Sequence, residues 1–93
     1  MILLLAALGA VAVAAIIAYL TFSMVKKWFR SNEIIDRDYV NVVLKEHLST
    51  GKFKTVGGVF NFRKNVIITA TAWESNSIDS ELEELERVSV IRE

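Results

Sequence analysis

The chain has 93 residues, eleven basic and eleven acidic side chains, one histidine, no cysteine and no proline. That length holds one small domain, and the absence of thiols excludes a disulfide framework and thiolate chemistry. The zero net charge hides an asymmetry: residues 1–64 carry nine Lys/Arg and four Asp/Glu, whereas residues 65–93 carry two and seven.

From Ile2 to Val25 no residue is charged, and only Gly9, Thr21 and Ser23 fall outside the hydrophobic set. As a helix this run measures about 36 Å, against roughly 30 Å of bilayer hydrocarbon. The run is too long for a usual signal-peptide core and has no basic residue before it. The sequence therefore predicts a transmembrane helix over 1–25. Lys26, Lys27, Trp28 and Arg30 follow at once and form a basic and aromatic interfacial segment over 26–30. Because Lys and Arg flanking a span are retained in the cytoplasm, this predicts an outside N-terminus and a cytoplasmic domain over 31–93. Within the apolar run Ala6, Ala10, Ala14 and Ala18 recur at intervals of four, a small-residue stripe that suits close packing of membrane helices.

Beyond Arg30, "SNEIIDRDYVNVVLKEHLSTG" is predicted as a helix. Ile35, Tyr39, Val42 and Val43 share one stripe, Asp36 or Asp38 can cap the start, and Gly51 supplies a stop. A break near Ser31 and Asn32 separates it from the span, although no Gly or Pro between Gly9 and Gly51 forces one. The β-branched and aromatic run that follows predicts strands at Phe53 to Val56, Val59 to Phe62 and Val66 to Trp73. "RKN" then turns a hairpin, and Gly57 with Gly58 marks a bulge, bend or turn. "SNSIDSELEELER" reads as a helix begun by Ser77 or Asp79 with Ile78, Leu82 and Leu85 on one face. "VSVIR" reads as a closing edge strand. The predicted fold class is a single-pass transmembrane helix followed by a small α+β cytoplasmic domain, in the order span, α, β, β, α, β.

The inventory of reactive groups is sparse. Metal binding needs converging ligands, and His47 beside Glu46 diverges from it on a helix. The glycine pair lacks the spacing of a phosphate loop, and Glu81, Glu83, Glu84 and Glu86 read as a solvated helix face. No catalytic, cofactor or metal residue is expected. Lys52, Phe53, Lys54, Phe60, Phe62, Arg63 and Lys64 interleave cations with aromatics in the manner of a single-strand binder, but those phenylalanines are also the material of a small core, which disfavours nucleic acid. The sequence points to a noncatalytic accessory or assembly subunit of a membrane complex. Its expected partners are integral membrane proteins met through the span, lipid headgroups, or further copies in a homo-oligomer. A structural membrane protein of a virus or phage, or a holin-like homo-oligomer, is the alternative.

Overall fold

The computed structural model of the chain describes residues 2–34 and 37–91, residues 2–5 by their backbone alone. The elements run α1 (Ile2–Gly9), β1 (Ala15–Leu20), α2 (Phe22–Ser31), β2 (Tyr39–His47), β3 (Phe53–Asn61), β4 (Val66–Ile78), α3 (Ser80–Glu84) and β5 (Val88–Ile91). The five strands form one sheet in the order β1-β4-β3-β2-β5. The β2–β3 and β3–β4 pairs are antiparallel hairpin neighbours, β5 is antiparallel to β2, and β1 is parallel to β4. It follows that β1 and β2 point the same way with two strands between them. Parallel strands need a crossover, and α2 supplies it.

The sheet carries apolar packing on both faces. On one, α2 and α3 contribute Val25, Phe29 and Leu82, which pack with Leu20, Val43, Val59 and Ile91. On the other, Leu8 of α1 packs with Val42, Leu44, Val56, Phe60 and Ala72. Central strand β3 is accordingly buried from Thr55 to Asn61. Gly57 and Gly58 point to opposite faces and let both layers approach. A Cβ at Gly57 would lie 3.3 Å from the Phe29 ring and 3.4 Å from the Trp28 ring, and one at Gly58 would lie 2.6 Å from Leu8 Cδ1. These glycines serve helix packing; the ladder irregularity falls next to them, between Val59 and Phe60. Positive φ occurs instead at Gly51 (89°) and Asn65 (60°), in the two hairpin turns.

The fold corrects the sequence reading at its first element. Among the described residues no helix is long and apolar enough to cross a membrane. The uncharged run is divided into an eight-residue helix, an irregular stretch, a six-residue strand and the cap and first turn of α2. Residues 11–20, "VAVAAIIAYL", include Val11, Val13, Ile16 and Ile17, β-branched side chains that suit a pleated surface, and β1 pairs with β4 at every residue except Ala18. Hydropathy summed over a window measures how much apolar surface must be covered, not what covers it. The single-pass topology, the outside N-terminus and the assignment of 31–93 to the cytoplasm fall with the span.

The helix predicted after Ser31 is corrected as well, because Tyr39–His47 is strand β2. Val42, Val43 and Leu44 are all buried since β2 is covered on both faces: Val42 and Leu44 belong to the α1 side and Val43 to the α2 side. A run buried on both sides fills a helical stripe as easily as a strand, and the two periods then coincide over four or five positions. Ile35 and Asp36, used in that reading, lie outside the described residues, as does Arg92 of "VSVIR".

Candidate functional site

β1 forms one edge of the sheet. Its register on β4 runs from Ala15 opposite Trp73 to Leu20 opposite Ile78. The Ala14 N–H donates to Ala72 O at 2.8 Å, and Leu20 O accepts from the Asp79 N–H at 3.0 Å. The N–H and C=O of one strand residue point to the same side, and successive residues alternate. β2 turns Lys45 to β5, so Phe53, Thr55 and Gly57 of β3 bond Ser75, Trp73 and Thr71, and Ala72 and Glu74 of β4 are left to face β1. Ala15 and Ile17 therefore face β4, the N–H and C=O groups of Ile16 point outward, and the register lapses at Ala18 before Leu20 again bonds the β4 side. Side chains along this edge are apolar and open: Ile16 is 72% exposed and Tyr19 51%. No charged residue occurs between Met1 and Lys26. Natural sheets blunt such edges with lysines, prolines, bulges or a covering segment, and β1 has no charge and no proline.

The junctions around β1 hold it firmly. Thr21 caps α2, its hydroxyl accepting from the Met24 N–H at 3.2 Å. Asp79, the N-cap of α3, accepts from the Leu82 N–H at 3.0 Å with Oδ1 and from the Phe22 N–H at 3.1 Å with Oδ2. One carboxylate thus closes the starts of two helices and ties the end of β1 to the end of β4. Lysines close the other helix ends. Lys54 Nζ donates to Gly9 O at 2.9 Å, and Lys45 Nζ donates to the carbonyls of Leu82, Glu83 and Leu85 at the end of α3. Burial pushes the Lys45 ammonium below its ordinary pKa, opposed by the charge of Glu83.

The residues singled out for membrane packing take other places. Ala6 lies on α1, Ala10 and Ala14 in the irregular stretch after it, and Ala18 on β1, so the four-residue ladder is not a helical face. All four are exposed. With no spanning helix for them to flank, Lys26, Lys27, Trp28 and Arg30 all lie on α2. Trp28 sits edge-on to Phe29 at 5.1 Å and to Trp73 at 6.1 Å, and Lys26 lies over the Phe22 ring at 4.9 Å. Lys27 and Arg30 are exposed. The cation and aromatic set considered for single-strand binding is distributed as well. Phe60 is buried, Phe53 stacks on His47 at 4.6 Å, Lys52 pairs with Glu74 at 3.8 Å and Arg63 with Asp38 at 3.6 Å.

The clefts among the described residues include two that are open to solvent. One of about 370 Å³ lies between the end of α2 and strands β2 and β5, with Arg30, Glu33, Tyr39 and Asn41 as its polar lining. The other, about 240 Å³, lies beside the β2–β3 hairpin and includes Lys45, His47 and Glu83. Neither sets a nucleophile against a base: the His47 ring is engaged with Phe53 and lies 3.3 Å from Gly51 O through Nε2. Among the described residues no three His, Cys, Asp or Glu converge as metal ligands. Comparison with family models, with curated protein sequences and with solved structures finds no match.

Sequence reasoning missed the edge because it assigned residues 15–20 to lipid.

Proposed function

We propose that this chain is a noncatalytic assembly module that joins a larger complex by accepting an extended segment of a protein partner along β1. The observation that carries this reading is an uncharged, proline-free edge strand with β4 on one side only, whose Ile16 and Tyr19 side chains are exposed. In strand addition the main chain supplies the affinity, and the alternate side chains of the edge select the sequence that fits. Here Ile16 and Tyr19 favour apolar alternation in the incoming strand and disfavour charge. The firm closure of the β1–α2 junction by Thr21 and Asp79 keeps the edge in its extended form before a partner arrives, which lowers the ordering cost of binding.

Selection of twelve-residue peptides from a displayed library on the full-length protein tests this reading. Recovered peptides should be extended, apolar at alternate positions and free of proline, and their binding should be lost in Ile16→Lys, at the most exposed position of the strand. Peptides that bind Ile16→Lys as well as the parent chain, or no recovered peptide, would contradict it.

A further inference from the structure

Across the sheet from β1, the end of α2 and strands β2 and β5 enclose a cleft of about 370 Å³. Phe29 is buried and pins the last turn of α2 to the sheet, while Arg30, the next residue, is exposed. That turn closes on itself. The Asn32 side-chain amide donates to Trp28 O at 2.9 Å, its backbone N–H donates to the Trp28 and Phe29 carbonyls, and the Glu33 N–H donates to Arg30 O at 3.4 Å. Glu33 thus leaves the helix one turn beyond Arg30. Alternate residues of a strand share a face, so Tyr39 and Asn41 of β2 lie on the side of Val43, which α2 covers. Asn41 stands opposite Ile91 in the ladder with β5. Phe29 and Ile91 are the buried apolar part of the cleft, and Ile34 and Val90 are its exposed apolar part.

The side chains of Arg30, Glu33, Tyr39 and Asn41 make no hydrogen bond and no ion pair with another described residue. Other cations of the chain are engaged: Lys45 and Lys54 hold helix-end carbonyls, and Lys52 and Arg63 pair with carboxylates. A guanidinium and a carboxylate that border one cleft without pairing can each hold the opposite charge of one small molecule. The volume lies at the lower end of the ~300–1,000 Å³ typical of small-ligand sites, whose few polar groups set orientation against an apolar wall. We infer that this cleft binds a small zwitterion, an aliphatic α-amino acid. The planar fork of Arg30 takes the ligand carboxylate. Glu33 takes the ammonium, helped by the negative end of the α2 dipole. The Tyr39 hydroxyl and the Asn41 amide supply neutral donors and acceptors between them, and the aliphatic side chain of the ligand covers Ile34 and Val90. A simple acid would leave Glu33 without its partner, and a simple amine would leave Arg30 without one. Because β1 lies at the other edge of the sheet, occupancy of this cleft does not depend on strand docking there.

Titration of the isotope-labelled full chain with L-leucine, followed by two-dimensional amide NMR, tests the inference. Saturable shifts should gather at Arg30, Glu33, Asn41 and Ile91. L-Leucinamide, which lacks the carboxylate, and N-acetyl-L-leucine, which lacks the ammonium, should each bind about tenfold more weakly or worse, as the loss of one charge-assisted contact requires. Arg30→Gln and Glu33→Gln should weaken L-leucine by a similar factor. Both side chains are exposed, so the amide spectrum away from the cleft should stay that of the parent chain. Arg87→Gln, in the cleft beside the β2–β3 hairpin, should bind L-leucine as the parent does. No saturable shift up to about 10 mM L-leucine, where even a weak site for so small a ligand fills, overturns the inference. Equal binding of leucinamide or of N-acetylleucine, or L-leucine binding unchanged in Arg30→Gln and Glu33→Gln, overturns it as well.

Discussion

β1 and β5 close the same sheet at opposite ends, yet they present different chemistry to a neighbour. β1 is six residues long, uncharged over its whole approach, and exposes Ile16 and Tyr19. β5 has four residues and follows Glu86 and Arg87. Shortness and flanking charge are the usual means of keeping an edge closed to other chains. The contrast teaches that the apolar excess of the N-terminal run is divided: Leu8 and Leu20 are consumed by the core, while Ile16 and Tyr19 are left on the open side. An edge of this kind is a cost unless something pairs with it.

The largest predicted effect strikes both edges together. Phe29 is buried on the crossover helix that bridges from β1 to β2, and Phe29→Ala should cost about 3–5 kcal/mol in denaturant unfolding. A loss under about 1 kcal/mol would mean that α2 does not clamp the sheet. Gly58→Val acts on the other face, where the new side chain must displace Leu8, and should cost about 1–3 kcal/mol. Since α1 leads into β1, its loosening should raise amide exchange at β1 before β5.

Asp79→Ala sharpens the comparison at the β1 end. It removes acceptors from both the Phe22 and the Leu82 N–H, a loss of about 1–2 kcal/mol, and should fray the β1–α2 junction along with α3. If thermal unfolding shows no change, the double cap contributes nothing. The smallest effect should leave both edges untouched. The hydroxyls of Thr55 and Ser75 are buried with no hydrogen-bond partner among the described residues, so Thr55→Val, which keeps the shape and removes the orphan oxygen, should raise stability by about 1 kcal/mol. A destabilised Thr55→Val protein would show that this hydroxyl is satisfied in solution.

Sequence and structure agree best where local chemistry decides. Asp79 signalled the helix it caps, "RKN" lies in the turn between β3 and β4, and Val88 to Ile91 is the second edge strand. Those signals work because a cap, a turn or a short alternating run is settled by neighbours a few residues apart. Agreement fails where a segment's environment is tertiary. Residues 2–25 contain enough apolar length to span lipid, and nothing local records that β4 and β3 will cover them instead. The same applies to Tyr39–His47, whose burial on two faces mimics a helical stripe. Gly57 and Gly58 illustrate the point at single positions: their pairing in sequence suggests a bend, but their use is set by Trp28, Phe29 and Leu8, which come from helices remote in the chain. The open edge was out of reach for the same reason, since it exists only once β4 has taken the other side of β1.

The central claim is that β1 is an extended strand with one side paired to β4 and the other open. Residue-resolved amide hydrogen exchange on the full-length chain tests it most directly. The amides of Ala15 and Ile17, directed at β4, should be protected while that of Ile16 exchanges freely. Equal protection of all three, or equally fast exchange at all three, would contradict the account.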